Sequence, residues 1–269
     1  MRKLVLSVAA LGSIVFAAML AVGAAATTTV VVTPTNQQGW STADTRPGGN
    51  VTFVADATAP SGAGALRLTT DVTTTAKAQY LHGANTALSD VTELGYYTKQ
   101  NAASFPEGAP SYQVIAYLNG GTSGFTTLVF EPYQNPTQGT VVSGVWQQWD
   151  VDQGLFWSSR TVACSNGTVV GTAGGPATYT LAQIESLCPG AVVGGFGVNI
   201  GSNNPLYDVE TDLVDFNGTV YDFEPSVGPP TSKDDCKNGG WQRFNNPSFK
   251  NQGDCVSYVA TGGKNNGNG

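Results

Sequence analysis

The chain has 269 residues, a formal net charge of −7 and only 12% charged side chains. Residues 27–232 carry five basic side chains against sixteen acidic ones, a net charge of −11, while residues 233–269 carry +2; so acidic a body excludes nucleic acid as a partner, because phosphates demand a basic face. With 34 glycines, many Thr and Val, and 10% aromatic residues, the composition excludes both a helical bundle and a disordered chain.

In chain order, Arg2 and Lys3 precede an apolar or small run from Leu4 to Gly23 and the small residues Ala24, Ala25 and Ala26. This predicts a signal peptide over 1–26 and a mature chain that is secreted, extracellular and off the membrane after cleavage. The run approaches the roughly 20 apolar residues that span a bilayer, so an uncleaved anchor is the alternative. The remainder, about 240 residues, suffices for one large β domain or two small ones. Short alternating segments punctuated by Gly, Pro, Asn and Ser predict strands at Val51–Val54, Ala65–Thr69, Lys77–Leu81, Thr92–Tyr97, Tyr112–Leu118 and Thr126–Glu131. Val145–Val151, Val192–Ile200, Thr211–Phe216 and Thr219–Phe223 continue the series, with hairpin turns at Asn119-Gly120-Gly121 and Asn217-Gly218. Ten such strands without repeating helices predict an all-β, antiparallel two-sheet sandwich spanning 27–224.

One helix is expected. Thr180 with Gln183 three residues on forms a capping box, Leu181, Ile184 and Leu187 share a face, and Pro189-Gly190 stops it. Residues 225–232 read as a Pro-, Gly- and Ser-rich linker, and 233–269 as a small segment with an unstructured end from Gly262. Four cysteines in an exported chain favour two disulfides. Three connectivities are open, and closeness in sequence favours Cys164–Cys188 and Cys236–Cys255. A zinc site is disfavoured, because no C-x2-C pair occurs and His82 is the sole histidine. Within the second loop, Trp241, Phe244 and Phe249 supply the apolar filling for a segment too short to rely on a core alone.

Two resemblances follow from particular residues. Cys236-Lys-Asn-Gly-Gly-Trp241 with Phe249-Lys-Asn-Gln-Gly-Asp-Cys255-Val256-Ser257 resembles a short C-terminal motif of assorted secreted bacterial proteins, and that resemblance implies no activity. Gly64-Ala-Leu-Arg-Leu-Thr69 and Val209–Phe216 lie in a body that resembles jelly-roll or lectin-like sandwiches, an architecture shared by many carbohydrate-binding modules. The likeness implies glycan binding as a function to be tested at the level of the site.

Alternation along Val145–Asp152 sets Trp146, Gln148, Asp150 and Asp152 on one side. An aromatic beside an amide and carboxylates suits a sugar, the ring covering apolar C–H groups and the polar groups bonding hydroxyls. Tyr117 with Gln113, and Glu131 with Thr127, present similar mixed faces. If these strands are neighbours in one sheet, Tyr117, Glu131, Trp146, Gln148 and Asp150 line one groove, the other reading being that Trp146 only covers the sheet. Glu210-Thr-Asp-Leu-Val-Asp215 loosely resembles the E-x-D-x-x-E pattern of laminarinase-like hydrolases, with Asp215 standing where Glu is expected. Paired carboxylates are the apparatus of glycoside hydrolysis. Alternation alone sets Asp215 opposite Glu210 and Asp212 unless a bulge intervenes. The alternative is a terminal strand whose acids face solvent or hold a structural calcium.

His82 lacks a Gly-x-Ser-x-Gly partner and reads as the end of a strand. Asn50, Asn166 and Asn217 head Asn-x-Thr sequons. Three functions are compatible with these features. The first is a secreted non-catalytic binder of a polysaccharide or cell-surface component, with no cofactor and no assigned catalytic residue. The others are an extracellular structural protein and a glycoside hydrolase or lyase using Glu210, Asp212 and Asp215.

Overall fold

The structure, a computed structural model, describes residues 27–171, 175–225, 228–244 and 247–264. The predicted signal peptide and the final residues 265–269 lie outside them, as do 226–227 of the predicted linker. The strands are β1 (Thr28–Val32), β2 (Trp40–Ser41), β3 (Gly49–Ala55), β4 (Gly64–Thr70), β5 (Ala78–Ala87), β6 (Leu94–Ala102), β7 (Ser111–Tyr117) and β8 (Phe125–Phe130). After them come β9 (Gln147–Asp150), β10 (Trp157–Ser158), β11 (Val162–Ala163), β12 (Val169–Val170), β13 (Val192–Ile200), β14 (Asp208–Phe216) and β15 (Thr219–Phe223). The helices are α1 (Leu181–Leu187) and α2 (Gln252–Ala260).

The predicted sandwich is present. Its first sheet has seven strands centred on β14, which pairs along one edge with β6 and, beyond it, β9. On the other edge, β4 and β3 take the N-terminal half of β14, while β15 and β1 take the C-terminal half. The second sheet runs β10-β8-β7-β13-β5-β2. Pairing is antiparallel throughout these sheets except between β1 and β15.

Period-two patterning explains why the layers close. In β7, Tyr112, Val114 and Ala116 are buried while Gln113, Ile115 and Tyr117 are half-exposed. From the facing sheet Leu66, Leu68, Val209 and Val214 join the same core. Ring contacts cross between the layers: Phe196 of β13 stacks on Phe216 of β14 with centroids 4.4 Å apart, and Tyr96 meets Tyr112 edge-on at 5.5 Å. Each such side chain contributes about 1.5–3 kcal/mol by leaving water. Buried polar tips find partners, as Tyr112 donates to the Asp215 carbonyl at 2.8 Å and Trp149 Nε1 donates to Thr98 Oγ1 at 2.8 Å.

Helix α1 has the predicted capping box, with Gln183 N donating to Thr180 Oγ1 and Thr180 N donating to Gln183 Oε1. Cys164–Cys188 ties its C-terminal end to the β11–β12 ribbon, and Cys236–Cys255 is the second bridge. Around the second bridge, Phe244 and Phe249 form a small cluster with Trp241, Val256 and Tyr258, separate from the main core. Within it α2, which patterning did not predict, starts at Asn251, whose Oδ1 accepts from Asp254 N at 3.0 Å. Gly262 and Gly263 form the turn after this helix.

Candidate ligand-binding groove

The outward face of the second sheet carries a concavity walled by aromatic and polar side chains. Strand alternation sends Phe125, Thr127, Val129 and then Glu131 outward from β8, and Ser111, Gln113, Ile115 and Tyr117 outward from β7. Trp157 of β10 lies beside Val129, which lies beside Gln113. A groove of about 600 Å³ opens over this end of the sheet. Its walls come from loops, with Phe105 and Gly108 on one side, Tyr133 on another and the 201–204 turn at the end. Phe105 and Tyr133 meet edge-on at 5.3 Å, yet both stay open to solvent, at 42% and 41% exposure.

The polar groups of the groove are held in place. Glu131 Oε2 accepts from Trp157 Nε1 at 2.7 Å and from Gln134 Nε2 at 2.6 Å, so the carboxylate and the indole fix one another. Asn199 donates to Gln79 Oε1 at 3.0 Å, and Ser111 Oγ donates to the Asn199 carbonyl at 3.1 Å. Tyr207 is pushed up to about 12 by burial, with the Glu131 charge adding to the effect, and Tyr133 moves in the same direction for the same two reasons. Both phenols are therefore neutral hydrogen-bonding groups at any physiological pH. Among the described residues the lining holds one carboxylate and no cationic side chain.

Of the five residues assigned to one groove from the sequence, the structure brings only Tyr117 and Glu131 onto this face. Trp146, Gln148 and Asp150 belong to β9 and its approach, in the other sheet, so their strand does not neighbour β7 and β8. Trp146 does face outward, but its ring is engaged: Lys99 Nζ lies 5.2 Å from the ring centroid, and Nε1 donates to Asp56 Oδ2 at 3.0 Å. Gln148 accepts from the Tyr97 hydroxyl at 2.9 Å, and Asp150 is exposed at the sheet edge. Phe105, Tyr133 and Trp157 were missed. Phe105 lies on a loop and Tyr133 in the short 3-10 helix Pro132–Gln134, where period-two reasoning has no purchase, and Trp157 sits in a two-residue strand.

Glu210, Asp212 and Asp215 share the outer side of β14, because a bulge with Leu213 at φ 48° intervenes between Asp212 and Asp215. Each carboxylate is engaged by the protein. Glu210 pairs with Lys99 at 2.7 Å and accepts from Asn101 at 2.8 Å, while Lys99 also bonds Asp56. Asp212, at 0% exposure, accepts from Phe223 N, and Asp215 accepts from Gly218 N in the hairpin. Burial first, then the Asp222 charge, raises Asp212 well above the usual carboxylate range; burial and Glu93 raise Asp215 to about 6. Among the described residues no three His, Cys, Asp or Glu side chains are arranged to hold a metal ion. His82 packs among Trp40, Phe196 and Tyr221, with its ring nitrogens against the Gly83 and Gln38 carbonyls.

No protein-family model and no curated protein matches the sequence. Among solved structures, the chain is similar to a family 11 carbohydrate-binding module from Clostridium thermocellum in complex with a β-1,3-1,4-mixed-linked tetrasaccharide, with a TM-score of 0.39 and 11% identity over 68% of this chain and 91% of that one. It is also similar to the CBM22-1 xylan-binding domain of Paenibacillus barcinonensis Xyn10C, with a TM-score of 0.32 and 14% identity over 66% and 83%. An arabinose-bound MgGH51 α-L-arabinofuranosidase gives a TM-score of 0.37 and 8% identity over 68% of this chain and 25% of the enzyme. Likeness of this extent says nothing about which ligand this chain takes.

Proposed function

We propose that this protein is a secreted, non-catalytic binder of an uncharged polysaccharide, held in the groove on the outer face of the second sheet. The observation that carries the reading is Trp157 locked to Glu131 beside the exposed rings of Phe105 and Tyr133. Rings of this kind cover the apolar faces of pyranoses, and a carboxylate already oriented accepts from sugar hydroxyls without the cost of being ordered on binding. Asn199, Ser111 and Gln113 add further hydroxyl partners. An uncharged chain suits the setting, since the groove contributes a negative charge and the body carries −11. Secretion is supported by two disulfides and the residues predicted as a signal peptide.

Isothermal titration against soluble mixed-linkage β-glucan, xylan and polygalacturonate tests it. Binding is expected to one of the neutral polymers and not to the polyanion, and Trp157→Ala is expected to weaken it at least about tenfold, or 1.4 kcal/mol. No heat with either neutral polymer, or affinity indifferent to Trp157→Ala, would sink the reading.

A further inference from the structure

The register of the second sheet places a second aromatic cluster on the same face. Trp157, Val129 and Gln113 form one cross-strand row, and Phe125 with Tyr117 form another, four residues along both β8 and β7. Four residues of strand correspond to about 13 Å, and an even step keeps both rows on one face. The Phe125 and Tyr117 rings are 5.8 Å apart, the Arg160 guanidinium lies 4.7 Å from the Phe125 ring centroid, and Phe125 is 36% exposed. Tyr117 reclines over β13 where a glycine makes room, since a Cβ at Gly194 would come within 2.5 Å of the ring.

The path between the clusters is low. Its intermediate row is Thr127, Ile115, Gly195 and Gly83, so β13 and β5 raise no side chain there. From the groove outward the floor passes from the amides and hydroxyl of Asn199, Gln79 and Ser111 to apolar and then aromatic groups. A single sugar seated by Trp157 cannot touch Phe125 across such a span; a chain lying along β7 and β8 touches both.

Resting on the glycan reading above, we infer that Tyr117, Phe125 and Arg160 form a second station of the same site, and that the ligand is an extended polysaccharide that touches both stations at once. The Tyr117–Phe125 pair stacks on one unit, the Trp157–Tyr133 end on another, and Thr127 and Ile115 underlie the units between. Arg160, whose charge lies against the Phe125 ring, donates to hydroxyls at that end.

Calorimetry with cellobiose through cellohexaose, and with the matching xylo-oligosaccharides, reads the length dependence directly. The wild-type protein is expected to bind the hexaose at least tenfold more tightly than the triose. Phe125→Ala and Tyr117→Ala are expected to abolish that advantage while leaving triose affinity unchanged, and Trp157→Ala to weaken every length. Phe125 is exposed, so its variant is not expected to unfold, and unchanged near-ultraviolet dichroism checks this. As a second readout, Phe125→Trp is expected to add to the wild-type emission change a further change with the hexaose and none with the triose. Equal affinity for triose and hexaose, or hexaose binding indifferent to Phe125→Ala, overturns the second station and leaves the groove standing. Failure of the wild-type protein to bind any oligosaccharide or either neutral polymer removes both proposals together.

Discussion

Gly108 supports the groove through what it lacks: a Cβ there would lie 2.4–2.6 Å from the Tyr207 phenol and ring. Gly108→Ala must push Tyr207 out of the wall, which by the usual penalty of overpacking costs about 1–3 kcal/mol. Urea titration is expected to show that loss, together with weaker binding of whichever neutral polymer the wild-type protein binds in the calorimetric test. Trp146→Ala provides the contrast on the opposite sheet. Its Asp56 bond and Lys99 contact are worth about 1–2 kcal/mol of stability, so the denaturation midpoint should fall while polysaccharide affinity stays unchanged. Alternation correctly turned Tyr117, Glu131 and Trp146 outward, but outward from which sheet depends on pairing between distant strands, and a local pattern holds no record of that.

The hairpin of β14 and β15 brings Asp212, Asp222 and Glu224 together under cover. Burial, followed by the Asp222 carboxylate, raises Glu224 to about 7 against the hydrogen bond from Ala63 N, and burial raises Asp222 as well. A carboxyl whose folded pKa exceeds its unfolded one stabilises the fold while protonated, and that contribution is lost as pH climbs through the folded value. Asp44, Asp56 and Asp208 act in the opposite sense, because bonds to Lys77, Lys99 and Arg67 hold them below 3.8, so their contribution is lost as pH falls further. Thermal unfolding is therefore expected to be most resisted near pH 4–5 and to weaken progressively toward pH 7. Glu224→Gln should raise stability at pH 8 by about 1–3 kcal/mol and flatten the profile; an unchanged profile would contradict the assignment.

At this scale much of the fold was legible. Val192–Ile200 and Thr219–Phe223 form strands residue for residue, and Thr180 with Gln183 caps α1 as their spacing implied. Thr180→Ala should cost about 1 kcal/mol, measurable by chemical denaturation. Strand β1 was missed because its Thr-Thr-Val-Val-Val lacks alternation and pairs only with a strand almost two hundred residues away. Helix α2 was missed because Gly253 and Asp254 in its first turn mask the helical signal, although Asn251 offered a cap.

For the molecule as a whole, the two hydrophobic clusters share no residue, and the C-terminal segment approaches β1 through Gly240–Arg243, with a cavity of about 620 Å³ between Thr29–Gln38 and Trp241, Phe244 and Phe249. Deleting residues 233–269 is expected to leave polysaccharide affinity intact and to lower the melting temperature of the main body only slightly, checked by calorimetry on the truncated chain. The parallel ladder of β1 and β15 bears on how such a body behaves under tension. Thr28 stands beside Thr219 and Val32 beside Phe223, so a pull entering ahead of Thr28 and leaving past Phe223 slides the two strands lengthwise. The cross-strand bonds are then sheared all together instead of being unzipped one after another, which makes this edge the part of the sandwich built to resist such a pull.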